Sequence, residues 1–165
     1  KWKFPTDGFL KESSPVVYQD KVYFGSDDGY LYALHKSKGY LIWKFQTLDA
    51  VYSSPAVSEN AIYIGSRDGY LYSLNHRGGL RWKMNLHAKI RSSPALANDR
   101  VYIGNQADRL YSFLDPQMGE VYWGMYGGEY RHRHTTGSAK SFGKDLTESG
   151  KWWIPLFKLF QTFQP

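Results

Sequence analysis

One pattern of about 40 residues runs three times through this chain, and a pattern that recurs in register must fold as a stack of like units. Ser13-Ser14-Pro15 returns as Ser53-Ser54-Pro55 and as Ser92-Ser93-Pro94, at steps of 40 and 39 residues. Val22-Tyr23-Phe24-Gly25 returns as Ile62-Tyr63-Ile64-Gly65 and as Val101-Tyr102-Ile103-Gly104. Asp28-Gly29-Tyr30-Leu31-Tyr32-Ala33-Leu34 returns as Asp68-Gly69-Tyr70-Leu71-Tyr72-Ser73-Leu74, then as Ala107-Asp108-Arg109-Leu110-Tyr111-Ser112-Phe113. Tryptophans mark the same beat at Trp2, Trp43, Trp82 and Trp123, in steps of 41, 39 and 41.

Each row reads as four short strands. In the first row these are Val16–Tyr18, Val22–Gly25, Tyr30–Leu34 and Leu41–Gln46. Aromatics make up 18% of the chain, and with the Val and Ile runs they favour strands over helices. Proline opens the first strand, where a missing N–H is tolerated. Asp28-Gly29 and Asp68-Gly69 supply the positive φ of a tight hairpin turn. The third row has Asp108 where that glycine is due, so its turn is expected to be less regular. A four-stranded antiparallel sheet cannot bury both faces alone. Sheets stacked around an axis do so, which predicts an all-β chain built as a β-propeller. Three repeats are clear, followed by a diverged fourth or an incomplete ring.

The rows resemble the PQQ-type, quinoprotein-like propeller repeat. That family carries a tryptophan-docking pattern, Ala-x-Asp-x-x-Thr-Gly-x-x-x-Trp. Here the first row gives Ala33, His35, Lys38, Gly39 and Trp43, and the second Ser73, Asn75, Gly78 and Trp82. The third gives Phe113, Asp115, Met118, Gly119 and Trp123. The Gly-to-Trp spacing of four holds throughout, Asp survives once and Thr nowhere. The resemblance covers residues 1–126: a leading strand at 1–6 and blades at about 13–47, 53–86 and 92–126. It implies that Trp43, Trp82 and Trp123 dock on neighbouring blades, with Gly39, Gly78 and Gly119 making room. It also implies that Trp2-Lys3-Phe4 is an outer strand waiting for a last blade.

After Tyr126 the register fails. Residues 127–165 read as a diverged last blade or a docking tail. Trp152, Trp153, Phe157 and Phe160 are the partner-contact candidates, in an aromatic, cationic segment over 151–165 that also suits an accessory subunit seated on a membrane complex. No apolar run reaches the ~18–20 residues that span a bilayer, and no signal-peptide pattern opens the chain. Starting at Lys1 on mid-repeat, the sequence reads as a processed chain, a cut domain or an incomplete one. An incomplete ring also exposes sheet edges that invite self-association.

Chemistry is sparse. The chain has no cysteine, which excludes a disulfide scaffold, a cysteine-zinc site and thiol catalysis. The quinoprotein dehydrogenases that share this repeat hold a quinone at the axis beside Ca²⁺ and use an aspartate base. Here Asp27, Asp28, Asp68 and Asp108 fall in hairpin turns, where such side chains bond their own backbone. His132 and His134 share a strand face but have no third ligand, and Arg131 and Arg133 oppose a cation. The net charge of +6 is scattered, and the aromatics sit at repeat positions expected to be buried, so a nucleic-acid surface is not expected. The sequence therefore points to a non-enzymatic scaffold for a protein partner, with no cofactor, no metal and no catalytic residue. The resemblance places it in the periplasm or outside the cell. A quinone- or small-ligand-binding enzyme domain is the alternative.

Overall fold

The structure is a computed structural model that describes residues 1–123, all within the first of the two units into which the chain divides, Lys1–Tyr130 and Arg131–Pro165. Twelve strands are described: β1 Val16–Tyr18, β2 Lys21–Gly25, β3 Tyr30–His35, β4 Leu41–Gln46, β5 Ala56–Ser58, β6 Ile62–Gly65, β7 Tyr70–Leu74, β8 Leu80–Asn85, β9 Ala95–Ala97, β10 Arg100–Gly104, β11 Leu110–Leu114 and β12 Val121–Trp123. Among the described residues there is no helix. The first row forms an antiparallel meander, β1-β2-β3-β4, and the second repeats it as β5-β6-β7-β8. The expected strands are present, with β2 starting one residue earlier and β3 ending one residue later than the pattern suggested.

The turns behave as their residues dictate. Gly29 and Gly69 sit at φ +85° and +89°, where a Cβ would be strained. Asp28 accepts the Tyr30 N–H at 3.1 Å and the Tyr32 hydroxyl at 2.7 Å. Asp68 does the same for Tyr70 at 2.9 Å and Tyr72 at 2.7 Å. In the third row Asp108 adopts φ +56°, which Asp tolerates better than most residues. The Asn105 side chain there takes the turn N–H groups of Ala107 and Arg109.

Packing runs from row to row. Leu31 and Ala33 of the first row share a core with Ile64, Tyr72 and Leu74 of the second. Tyr63 and Leu71 of the second meet Val101 and Ile103 of the third. This succession of sheets stacked face against face is the propeller that the repeat predicted.

The third row departs from the four-stranded expectation. Its sheet is β9-β10-β11, and β12 pairs instead with β5 of the second row. The cause is Met118, which is fully buried among Ala56, Ala61 and Tyr63. Its carbonyl accepts the Asn60 N–H at 3.0 Å, and the Glu120 carbonyl accepts the Glu59 N–H at 2.6 Å. These contacts draw the chain under the β5–β6 turn and away from β11.

Candidate functional site

The residues that recur most strictly meet at the joins between rows. Trp43 leaves β4 half-buried and lays its ring on Gly78 of the second row. A Cβ at Gly78 would fall 2.8 Å from Trp43 Cδ2, and the backbone there has φ +84°. The indole N–H donates to the His76 carbonyl at 3.1 Å. Trp2 repeats the arrangement one row earlier: it covers Gly39, where a Cβ would lie 2.3 Å from Cδ2, and donates to the Lys36 carbonyl at 2.9 Å.

The third join is built differently. Trp82 donates to the Asp115 carboxylate at 3.1 Å rather than to a carbonyl. The nearest neighbours of Gly119 are Glu59 and Asn60, where an indole is nearest at Gly39 and Gly78. Trp123 lies in β12, paired along the backbone with Val57. The structure thus brings together Trp43 with Gly78 and Trp2 with Gly39, whereas Gly119 is met by Glu59 and Asn60. Trp152, Trp153, Phe157, Phe160, His132 and His134 lie outside the described residues.

Asp115, the one aspartate that the docking pattern keeps, centres a buried polar cluster whose arginine the repeat did not announce. Its carboxylate accepts the Tyr63 hydroxyl at 2.7 Å and Arg81 at 2.7 and 3.2 Å, besides Trp82. Burial works to raise its pKa, but the hydrogen bonds from Arg81 and Tyr63 outweigh that and hold it below the ordinary carboxylate value. Tyr63 moves upward, first through burial and then through Asp115. Arg81 stands at a position that is Ile42 in the first row, so no recurrence signalled it.

The Ser-Ser pairs do more than open strands. The first serine of each pair clamps the glycine that ends the second strand of its own row. Gly25 N–H donates to Ser13 Oγ at 2.8 Å, Gly65 N–H to Ser53 Oγ at 2.8 Å, and Gly104 N–H to Ser92 Oγ at 3.1 Å. The second serine links rows: Ser14 N–H donates to Ser54 Oγ at 2.8 Å, and Ser54 N–H to Ser93 Oγ at 2.9 Å. Ser53 is fully buried and also donates to the Gly65 carbonyl at 2.9 Å. Ser53→Ala leaves both Gly65 groups unpaired, so urea unfolding is expected to show a loss of about 1–3 kcal/mol.

His76 is a second residue that periodicity missed. Tyr18 stacks on its ring at 4.6 Å. Its Nε2 lies 2.9 Å from the Ser58 carbonyl and Nδ1 lies 3.1 Å from the Tyr23 hydroxyl, which assigns donation from Nε2 and acceptance at Nδ1. Burial lowers its pKa, against the pull of the Ser58 and Glu59 carbonyls, and the Lys21 charge adds to the lowering. The unfolded chain then binds this proton more readily than the folded one. Stability is complete above the ordinary value of ~6.5 and falls as pH drops toward the lowered folded value. Thermal melts across this window are expected to show Tm falling with acid, and His76→Gln is expected to flatten the slope.

Between the first and third rows lies an open cleft of about 500 Å³, lined by Ser14, Ser93, Lys11, Glu12, Tyr52 and Arg91 among others. Arg91 reaches across it to Glu12, with Nε donating at 3.1 Å, and Lys11 pairs with Asp27 at 2.8 Å. Arg67 and Arg91 both approach the Tyr52 ring, at 5.3 Å each. At the opposite end of the first strands, β12 pairs with β5, touches β9, and sets Tyr122 4.9 Å from Tyr18 of β1. Among the described residues no cluster of three His, Asp or Glu side chains has metal-ligating geometry.

The family described as outer membrane protein assembly factor BamB, a PQQ-type repeat family, matches residues 27–146. The chain belongs to this family. BamB from Moraxella catarrhalis is similar in structure, with TM-score 0.55 and 22% identity over 67% of this chain and 35% of that one. The quinohemoprotein alcohol dehydrogenase ADHIIG from Pseudomonas putida HK5 gives TM-score 0.62 and 24% identity over 72% of this chain. The designed protein Ika4 gives TM-score 0.53 and 16% identity over 61% of this chain and 64% of that one. At these identities the likeness establishes the fold and nothing finer. The chain spans 21% of the dehydrogenase and about a third of the Moraxella BamB. No curated sequence matches it. The eroded docking pattern of this chain keeps its glycine and tryptophan positions, and two joins use them, Trp2 on Gly39 and Trp43 on Gly78.

Proposed function

We propose that this chain is a protein-binding propeller scaffold that serves outer-membrane protein assembly, on the periplasmic side of that membrane. The observation that carries the reading is where the polar side chains go. Asp28 and Asp68 are each held by a turn N–H and a tyrosine hydroxyl. Asp115 is enclosed by Arg81, Tyr63 and Trp82. The serines are bonded to glycines and to each other. Groups of the kind that would otherwise bind a metal or move a proton are engaged in bracing the turns of each row or in joining one row to the next. The family assignment supplies the setting, since its description names outer membrane protein assembly.

The outer strands offer contact surface. Tyr40, Leu41 and Ile42 lie exposed at the start of β4, and Leu80 and Met84 on β8. Apolar groups on a rigid sheet edge suit a protein partner better than a small solute. The test is affinity isolation of the tagged protein from its native cells after cross-linking. Recovery of outer-membrane barrel-assembly proteins is expected, and Leu41→Asp with Leu80→Asp is expected to reduce it several-fold without changing the melt. A preparation that carries no such proteins but oxidises an alcohol would overturn the reading.

A further inference from the structure

Two positions in each row keep their place in the backbone but change their side chain from row to row. The residue before each Ser-Ser pair is Glu12, Tyr52 or Arg91. The second residue of the turn after each second strand is Asp27, Arg67 or Gln106. Their N–H groups donate to the Phe9, Ala50 and Lys89 carbonyls at 3.1, 3.0 and 2.9 Å, so the backbone is alike in all three. The core does not dictate these side chains: Glu12 and Arg91 are exposed, and Tyr52 and Arg67 are half-buried. In the structure four of them gather at one wall of the open cleft.

Tyr52 is the centre of that wall. It lines the cleft, and the guanidinium carbons of Arg67 and Arg91 each lie 5.3 Å from its ring centroid. A guanidinium laid on an aromatic ring keeps its planar fork in place for an acceptor. Arg91 shows how such a fork is used here: Nε and Nη2 both donate to the Glu12 carboxylate. Arg67 lies on the same ring, and among the described residues no carboxylate oxygen comes within 4 Å of its guanidinium. Its side chain makes one long hydrogen bond, from Nη1 to the Tyr52 hydroxyl at 3.4 Å. Asp68, its neighbour in sequence, is taken by the Tyr70 and Leu48 N–H groups and the Tyr72 hydroxyl. Lys11 pairs with Asp27 at 2.8 Å and stands near enough to Arg67 to feel its charge. Three cations, Lys11, Arg67 and Arg91, thus meet two carboxylates, Glu12 and Asp27, and one positive charge is left over. Tyr52 and Arg67 belong to the middle row, with described rows on both sides, so residues 11–91 make the whole site.

We propose that Arg67, held on Tyr52, binds the carboxylate of an acidic side chain presented by a protein partner. A carboxylate matches the guanidinium fork with two parallel hydrogen bonds. Its single charge balances the site, whereas a phosphate dianion overshoots it and is repelled by Glu12 and Asp27. The Glu12–Arg91 bridge spans the cleft, and a side chain enters beside it without breaking it. Arginine and tyrosine are also the residue types that most often carry the energy of a protein interface. That the carboxylate belongs to a protein rests on the scaffold reading, while the carboxylate site itself does not.

The test is an NMR titration of the 165-residue chain, followed at the arginine Nε–H signals. The probe is the peptide acetyl-Gly-Asp-Gly-Tyr-Gly-amide, whose one charge is a side-chain carboxylate, and the control is the same peptide with Asn for Asp. The Asp peptide is expected to shift the Arg67 signal and the Asn peptide to leave it in place. Arg67→Gln is expected to weaken binding of the Asp peptide roughly tenfold or more. Its melt is expected to stay unchanged, since the Arg67 N–H that bonds to Ala50 is kept. Arg67→Lys keeps the charge and loses the fork, so its affinity is expected to fall between the two. An Arg67 signal that the Asp peptide does not move overturns the proposal. So does an equal shift from the Asn peptide, or from inorganic phosphate at the same concentration. The titration reads the site whether or not the chain serves outer-membrane assembly, so its failure and the failure of the scaffold reading are told apart.

Discussion

Asp115→Ala is expected to cost about 3–5 kcal/mol, because it strands the Arg81 guanidinium in a site built for a pair. The Asp115 side chain is 6% exposed and the Arg81 side chain 16%. Arg81 donates through two nitrogens, and Nη1 also reaches Ser73 Oγ at 2.9 Å. With Asp115 gone, Tyr63 and Trp82 lose an acceptor as well. A domain of this size has ~5–15 kcal/mol in hand, so the loss is a large share of it. Urea unfolding followed by tryptophan fluorescence reads the change directly. A paired Arg81→Met, Asp115→Leu variant is expected to lose much less, since no charge is left unpaired. Asp115 also makes the fold acid-sensitive. Its folded pKa is lowered, so its contribution is complete above the ordinary value of ~3.9 and is lost as pH falls below it.

Trp43→Ala is expected to cost a similar ~3–5 kcal/mol. The ring packs against Tyr23 at a centroid distance of 5.7 Å and against Gly78, and its N–H is bonded to His76. Truncation opens a cavity between the first and second rows and leaves the His76 carbonyl without its donor. Trp43→Phe keeps most of the apolar contact and loses only the hydrogen bond, so its cost is expected to be nearer ~1 kcal/mol. Gly78→Ala attacks the same contact from the other side. Its Cβ meets the indole at 2.8 Å on a backbone of positive φ, so the variant is expected to lose stability although it removes no atom. Chemical denaturation of the three variants separates ring burial, the indole bond and the slot.

The fold was legible because recurrence constrains more than composition does. A glycine, a tyrosine pair and a tryptophan returning every 39 to 41 residues leave few architectures open. β1 and β4 begin and end where alternation and turn residues put them. What recurrence could not show is what happens once. β12 crosses to β5 because Met118 is buried among the second row, and the residues at that place in the other rows are Lys38 and Arg77. The Asp115 cluster depends on Arg81, and the His76 junction on Tyr18, neither of which repeats. The serines were visible as a repeat, but their bonds from row to row need three-dimensional neighbours 39 and 40 residues apart.

The central claim is that the shared repeat serves protein assembly rather than quinone chemistry. Titration of the purified chain with pyrroloquinoline quinone and Ca²⁺, followed by quinone absorbance and by dialysis, tests it most directly. The account predicts that the quinone spectrum stays that of the free compound and that none is retained after dialysis. One quinone held per chain, with its spectrum shifted on Ca²⁺ addition, would contradict it.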